Sequence, residues 1–256
     1  MSESTSPAKR KRAPRGFSLV GALGELLLTA GVVVLLFLAW QLWWDDAILA
    51  HSQSSAAADT SHSWTTDAAT PTAQAPAATT DYGTPAVLSE PAEGQAFAIM
   101  YVPRFGQGTQ RQIAEGVGTD VLNSTRLGVG HYAGSAMPGQ TGNFAIASHR
   151  SAYGGGMHLI NELRVGDPIY IQTKDGWYTY RFRNFEYVRA SAVGVIDAVP
   201  ESVGTNTSQR LITLTTCNPL YSTAERIVAY GVFESWQPTS AGPPAAIAAD
   251  VASWKQ

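Results

Sequence analysis

The stretch Arg210-Leu-Ile-Thr-Leu-Thr-Thr-Cys217 is rich in apolar and β-branched residues and ends in a cysteine. Such a run is typical of a β-strand. A second run of this kind extends from Arg226 to Glu234, and the loop between the two contains Asn218-Pro219. If these strands are neighbours, the thiol and the guanidinium lie at one rim of a sheet, where the cation favours the thiolate.

Cys217 is the only cysteine among 256 residues, so it has no partner for an internal disulfide. It is therefore either a small packed side chain or a reactive group. His149 follows the predicted strand Phe144-Ala-Ile-Ala-Ser148 and is suited to serve as a general acid. Taken singly, a buried cysteine, a structural histidine and a solvated arginine are ordinary features. Together they favour a cysteine nucleophile assisted by His149 and Arg226.

The first 44 residues have the pattern of a membrane anchor. Residues 1–16 form a basic head with Lys9, Arg10, Lys11, Arg12 and Arg15, and an apolar span follows within residues 17–44. From Leu26 to Trp44 this span is roughly 28 Å long as a helix, close to the thickness of a hydrocarbon core. A cleavable signal peptide is the alternative, but its apolar region would be shorter. Because basic residues precede the span and acidic residues follow it, we expect a cytoplasmic N-terminus and an extracellular remainder.

Residues 45–94 are rich in Ala, Thr, Ser and Pro and contain no Lys or Arg. Such a segment has few large apolar side chains to bury, so it is expected to be a disordered extracellular stalk. The formal net charge of −3 is the sum of a basic head, an acidic stalk and a nearly balanced domain, so it indicates no particular partner. No basic stripe indicates a nucleic-acid partner.

Residues 95–237 are long enough for one domain and contain short β-like runs separated by glycine and proline. The fold class is therefore mostly β, a barrel or a sandwich with few short helices, of which Met157 to Leu163 is the best candidate. Residues 238–256 are rich in Ala and Pro and are expected to be a flexible tail. The other predicted strands are Phe97 to Val102, Asn143 to Ala147, Pro168 to Thr173 and Trp177 to Tyr187.

Two segments resemble the sortases, the membrane-anchored cysteine transpeptidases of Gram-positive bacteria. Thr213-Leu-Thr-Thr-Cys217 looks like the family signature Thr-Leu-x-Thr-Cys, followed by an arginine at Arg226. The segment from His131 to His149 looks like the one that carries the family histidine. Residues 24–31 and Trp43-Trp44 resemble the class E housekeeping sortases of actinobacteria. The resemblance implies a closed sortase-type β-barrel preceded by one transmembrane helix.

The resemblance also implies roles for individual residues. Cys217 would attack the Thr-Gly carbonyl of a C-terminal sorting signal, of Leu-Ala-x-Thr-Gly or Leu-Pro-x-Thr-Gly type, and form a thioacyl enzyme. His149 would protonate the leaving amine, and Arg226, assisted by Thr216, would stabilise the oxyanion. Tyr132 would help to select the signal. The partners would be signal-bearing surface proteins and a peptidoglycan precursor amine of the lipid II type.

Other functions remain to be weighed against this one. A pilin-polymerising class C sortase usually carries an Asp-Pro-aromatic lid and a second anchor, and neither is visible. A non-enzymatic, membrane-tethered domain that binds the cell wall would have no need for Cys217. No cofactor is expected. No metal is expected either, because the histidines lack cysteines or clustered acids at ligand spacing; they include His51, His62, His131 and His158.

Overall fold

The computed structural model describes residues 18–40, 44–67 and 81–253, and the chain divides into two units, residues 1–44 and 45–256. The predicted basic head, residues 1–16, lies outside the described residues, as does Trp43. In the first unit, helix α1 spans Leu19–Ala39, 21 residues with a mean hydropathy of 2.4. Within the described ranges it is the one helix long and apolar enough to cross a membrane. It agrees with the predicted span in length and composition.

The second unit is built around a closed barrel of eight strands, in the order β1-β2-β3-β4-β7-β8-β6-β5. Two neighbouring pairs are parallel, β2 with β3 and β4 with β7, and the others are antiparallel. The strands are β1 Ala96–Tyr101, β2 Arg111–Glu115, β3 Gly128–His131, β4 Gly142–Ser148, β5 Pro168–Gln172, β6 Gly176–Arg189, β7 Arg210–Asn218 and β8 Glu225–Pro238. The prediction of a closed, mostly β barrel is therefore confirmed.

The barrel interior is filled by alternate side chains of its strands, as the period of two requires. Phe144 and Ile146 on β4 lie level with Ile212 and Leu214 on β7, and all four are fully buried in one core. Residues between these positions point to the outer face. The same alternation determines which residues near the ends of β4, β7 and β8 lie on the outer face.

The structure differs from the sequence prediction in two strands and one helix. β2 and β3 were not predicted, because Arg111-Gln-Ile-Ala-Glu115 is largely polar and Gly128-Val-Gly-His131 is half glycine. Tertiary pairing overrides these weak local preferences. The predicted helix from Met157 to Leu163 is a pair of turns with a short 3-10 segment at Ile160–Glu162. α3 is a single turn at Thr119–Leu122.

The predicted disordered stalk, residues 45–94, is ordered in its described parts, 45–67 and 81–94, while residues 68–80 lie outside the described residues. Its first part is helix α2, Asp45–Asp67, which packs against the barrel in the second unit. The buried face of α2 is made of small and amide side chains, so it has no apolar periodicity for a sequence analysis to detect. Ala and Gln favour helix, and small residues allow close packing. The buried residues include Gln53, Ser54, Ala56, Ala57, Ala58 and Ser61.

Residues 81–94 have no regular secondary structure and are held on the barrel by hydrogen bonds from side chains. The hydroxyl of Tyr178 donates to the Ala86 carbonyl at 2.6 Å, and the Trp236 indole N–H donates to the Gly83 carbonyl at 2.9 Å. The predicted flexible tail is likewise partly folded, with a short helix α4 at Ala248–Ser253. Ile247 is buried in a second apolar cluster with Ala57 and Trp177. The folded unit is therefore larger than residues 95–237.

Candidate active site

Cys217 and Arg226 form a directly opposed pair near the end of the antiparallel β7–β8 ladder. The neighbouring pair, Thr216 and Ile227, faces the interior, since Ile227 belongs to the core. Alternation therefore places Cys217 and Arg226 together on the outer face. Both are partly exposed, as a nucleophile and a substrate-binding cation need to be. One guanidinium nitrogen of Arg226 donates to the Thr223 and Glu225 carbonyls, at 3.1 and 2.9 Å.

The parallel pairing of β4 with β7 brings His149 and Cys217 to neighbouring strand ends. The last paired residues are Ala147 and Thr215, so His149 and Cys217 each come two positions later and point to the same face. The His149 Nε2–H donates to Oδ1 of Asn123 at 2.8 Å. Its ring also packs on Tyr153, with 4.9 Å between ring centroids. The structure thus brings the three predicted catalytic residues, His149, Cys217 and Arg226, to one surface.

The environment of His149 disfavours its charged form. Partial burial lowers its pKa below the usual 6.5, and the negative charge of Asp46 on α2 acts in the opposite direction. Desolvation is the larger effect, because a half-buried imidazolium loses hydration that one nearby carboxylate does not replace. The ring is therefore mainly neutral at neutral pH.

Thr216 lies on the opposite face of β7 from Cys217, which differs from its predicted role at the oxyanion. It is buried, and its hydroxyl donates to the Ser148 carbonyl at 2.7 Å. This bond joins β4 to β7 directly before His149 and Cys217. Thr216 therefore links the ends of the two strands at the residues that precede His149 and Cys217.

The outer face of β4 and β7 away from Cys217 is covered by neighbouring loops. Outer-face residues such as Ala145 and Thr213 are fully buried, so the neighbouring loops cover this face. On one side the hydroxyls of Tyr132 and Thr215 are hydrogen-bonded at 2.9 Å. On the other, the amide of Asn143 donates to the carbonyl of Asp197 in the β6–β7 connection at 3.0 Å. A cavity of about 400 Å³ opens between these two loops at the far end.

The comparison with known proteins agrees with this geometry. A family model, the sortase domain, matches residues 100–234. The chain belongs to the sortase family. Sortases are cysteine transpeptidases, and the prediction of a sortase enzyme is confirmed.

Two Streptomyces coelicolor relatives place this sortase near the class E members, as its sequence predicted. It is 34% identical to sortase SrtE1 over 233 residues, which cover 88% of this chain and 60% of the relative. It is 31% identical to sortase SrtE2 over 219 residues, which cover 83% of this chain and 81% of the relative. A solved structure of sortase E1 from the same organism, with a tripeptide in the active site, is 35% identical and has a TM-score of 0.55. That match covers 61% of this chain and 99% of that chain.

Several residues of this sortase site could not be found from the sequence. Asn123 precedes β3 in a loop without a motif, and its contact with His149 depends on the parallel pairing of distant segments. Arg150 carries a weak signal, since it directly follows the histidine. It is buried and donates to Oδ1 of Asn218 at 2.6 Å and to Oδ1 of Asn161 at 3.0 Å. It therefore links the loop after β4 to the chain immediately after Cys217.

His131 and His158 take structural positions in this sortase. His131 is fully buried, its Nδ1 lies 2.7 Å from Oε2 of Glu115, and the Ser135 hydroxyl lies 2.8 Å from its Nε2. His158 Nδ1–H donates to the Arg150 carbonyl at 2.9 Å. Across the described part of the chain, no group of three or more His, Cys, Asp or Glu is arranged to hold a metal ion.

Proposed function

We propose that this sortase cleaves a C-terminal sorting signal between Thr and Gly and transfers the acyl part to a cell-wall amine. The observation that carries the proposal is the common outer face of His149, Cys217 and Arg226 at adjacent strand ends. A thiol, a proton donor and a cation on one surface are the groups that acyl transfer by a cysteine requires.

In the first half-reaction the Cys217 sulfur attacks the carbonyl carbon of the signal threonine as its thiolate. The Arg226 guanidinium stabilises the charge that develops on the carbonyl oxygen. The bond to the glycine nitrogen then breaks, and His149, in its protonated form, gives its proton to that nitrogen. The product is a thioester between Cys217 and the threonine carbonyl carbon, with the glycine amine released.

In the second half-reaction an incoming amine attacks the thioester. The neutral His149 accepts a proton from this amine, and the Cys217 sulfur leaves as thiolate. A new amide bond replaces the thioester, so the enzyme returns to its starting state. The acceptor in this proposal is the free amine of a peptidoglycan precursor of the lipid II type.

The outer face of β4 and β7 is the proposed path for the residues before the scissile bond. From His149 to Asn143 the strand spans about 20 Å, enough for the extended signal of five residues, which is about 16 Å long. The solved structure of Streptomyces coelicolor sortase E1 has a tripeptide in its active site, which supports a peptide in this position. Tyr132, whose hydroxyl is hydrogen-bonded to that of Thr215 on this face, is the proposed contact that distinguishes Leu-Ala-x-Thr-Gly from Leu-Pro-x-Thr-Gly.

We place the enzyme in the cell membrane through α1, with the N-terminus in the cytoplasm and the barrel outside. The length and hydropathy of α1 support the anchor, and the acidic residues Asp45 and Asp46 directly after the apolar segment support the orientation. Its substrates are then exported surface proteins that carry the signal.

The test uses the full chain in detergent micelles with two fluorogenic peptides, one ending in a Leu-Ala-x-Thr-Gly signal and one in a Leu-Pro-x-Thr-Gly signal. We expect cleavage between Thr and Gly and, with added triglycine, a product in which the amine replaces the released glycine. Intact peptides after long incubation with the folded protein would contradict the proposed reaction. A Tyr132→Phe variant, which keeps the ring and removes the hydroxyl, would change the ratio of the two rates if Tyr132 contributes to selection.

A further inference from the structure

Helix α2 contacts both of the loops that hold His149, through the single side chain of Gln53. The Gln53 amide nitrogen donates to the carbonyl of Ser124 at 2.7 Å and to the carbonyl of Tyr153 at 3.0 Å. Ser124 directly follows Asn123, which accepts the hydrogen bond from His149, and Tyr153 carries the ring that packs on His149. Gln53 is fully buried, so these bonds are shielded from water.

Two further side chains hold the Tyr153 loop, and both bind the backbone of Gly154. The carboxylate of Asp46, also on α2, accepts from the Gly154 backbone N–H at 3.0 Å. The buried guanidinium of Arg111 on β2 donates to the Gly154 carbonyl at 3.0 Å. Tyr153 itself has φ of 50°, a left-handed conformation that is unfavourable for a residue with a side chain. Such a conformation persists where its surroundings fix it, and α2 supplies two of the three contacts.

The barrel surface is shaped to receive this glutamine. Gly128 and Gly154 both have positive φ and both lie against the Gln53 side chain. A Cβ on Gly128 would lie 2.8 Å from Gln53 Oε1, and a Cβ on Gly154 would also collide with that oxygen. The space that two missing side chains leave is therefore occupied by Gln53. The steric fit against the two glycines, the burial of Gln53 and its two hydrogen bonds all indicate the same contact between Gln53 and the barrel.

We propose that α2 is a positioning element for the catalytic histidine, with Gln53 as the residue that sets the two His149 loops at a fixed separation. Gln53 touches neither substrate nor the reacting atoms, and it acts through Asn123 and Tyr153. The proposal rests on the proposed function for the role of His149 in turnover. General acid catalysis needs the donor within hydrogen-bond reach of the leaving nitrogen, and a misplacement of about 1 Å can cost on the order of a hundredfold in rate.

The test compares Gln53→Met with Gln112→Met in the full chain in detergent. Gln112 on β2 is the matched control, since its buried amide also donates twice to α2, to the Ala56 carbonyl at 2.8 Å and to the Thr60 hydroxyl at 3.1 Å. Both variants lose two hydrogen bonds between α2 and the rest of the unit, but only Gln53→Met loses the bonds to the loops that contain Asn123 and Tyr153. We expect Gln53→Met to lower kcat at least tenfold with KM for the signal peptide within twofold, and Gln112→Met to keep kcat within twofold. Equal losses of kcat in the two variants, or none in Gln53→Met, would overturn the proposal.

A spectroscopic measurement separates this proposal from the proposed function. Nitrogen NMR of histidine-labelled protein, with His149 assigned through a His149→Gln variant, reports which ring nitrogen carries the proton. We expect Nε2–H in the parent and in Gln112→Met, and a mixture of both ring tautomers in Gln53→Met. An unchanged His149 signal in Gln53→Met would overturn the positioning role even if the enzyme is active. A changed signal in a protein without transpeptidase activity would support the positioning and contradict the function.

If Gln53→Met does not fold, Gln53→Asn takes its place. The shorter amide reaches one of the two carbonyls but not both, so it disturbs the separation of the loops while it retains a hydrogen bond. The same kcat loss and the same change in the His149 signal are expected. A wild-type kcat and His149 signal in Gln53→Asn would contradict the proposal.

Discussion

Cys217 on β7 and Arg226 on β8 lie directly opposite each other in an antiparallel pair, on the outer face of the barrel. The Cβ atoms of such a pair are about 4.5–5.5 Å apart, so the guanidinium can reach the carbonyl of a group bound at the sulfur. His149 follows the neighbouring strand β4, two positions after its last residue paired with β7. In the proposed mechanism Cys217 therefore lies between the acid, His149, and the cation, Arg226.

Arg226→Lys is expected to lower kcat/KM at least tenfold although the charge is kept. A planar guanidinium offers several donors in a fixed fork, and an ammonium cannot reproduce that arrangement around an oxyanion. Steady-state kinetics on the signal peptide measure the effect. Arg183→Lys on the exposed part of β6 is the control and should leave kcat/KM unchanged. Wild-type kinetics in Arg226→Lys would show that Arg226 is only a surface charge.

Asn123→Ala removes the acceptor of the His149 Nε2–H bond, and we expect kcat to fall roughly tenfold because the ring loses its orientation. Asn123→Asp keeps an acceptor at the same place and adds a negative charge. It should therefore retain more activity and raise the pKa of His149, so that the pH optimum moves upward. A wild-type kcat in Asn123→Ala, or an unchanged pH-rate profile in Asn123→Asp, would remove Asn123 from the site.

Asp46→Asn should lower the pKa of His149 further below 6.5, because the carboxylate is the group that opposes the desolvation of the ring. An amide still accepts from the Gly154 N–H, so the loop is kept while the charge is lost. A smaller fraction of His149 is then protonated at neutral pH, and the pH optimum should move downward. Asp59→Asn, on an exposed position of α2, is the control. A His149 titration by NMR that is the same in both variants would contradict the prediction.

The same pKa shift has a consequence for stability. Below about pH 6.5 the unfolded chain binds a proton at His149 that the folded chain resists. The free energy of unfolding should therefore fall as the pH decreases from about 6.5 toward the folded pKa, and the fall should extend further in Asp46→Asn. Denaturant unfolding at pH 7.5 and 5.5 measures this difference.

The topology can be tested with the single thiol. Cys217 is the only cysteine and is partly exposed, so a membrane-impermeant maleimide added to intact cells should label the enzyme at one position. A Cys217→Ala chain should remain unlabelled. Labelling that appears only after lysis would place the barrel in the cytoplasm and contradict action on exported proteins.

The sequence predicted most of the barrel because its longer strands carry their own signals. Trp177 to Tyr187 is dense in aromatic and β-branched residues, and Arg210 to Thr216 alternates toward the core, so both agree with the final fold. Helix α2 lacked such a signal. Its buried face is made of alanine, serine and Gln53, which resemble a linker in composition and become a packed surface only when the barrel supplies partners.

The candidate site, like the barrel, was predictable where its residues lie in strands with a clear sequence pattern. His149, Cys217 and Arg226 each lie at a strand end that the local pattern reveals. Thr216 shows the limit of this reasoning, since one residue along a strand reverses the face and turns its hydroxyl to the Ser148 carbonyl. Asn123 and Gln53 contact the site from segments that are distant in sequence, and their roles appear only with the tertiary structure.

The central claim, that Cys217 is the acylated nucleophile, is tested most directly by intact-protein mass spectrometry of the full chain mixed with signal peptide and no added amine. The account predicts a mass increase equal to the acyl part of the peptide ending in threonine, located on the proteolytic fragment that contains Cys217 and reversed by added triglycine. Cys217→Ala should show no increase and no turnover while it folds, with a stability loss of about 1 kcal/mol. Turnover of the peptide by Cys217→Ala, or an acyl group on any other residue, would contradict it.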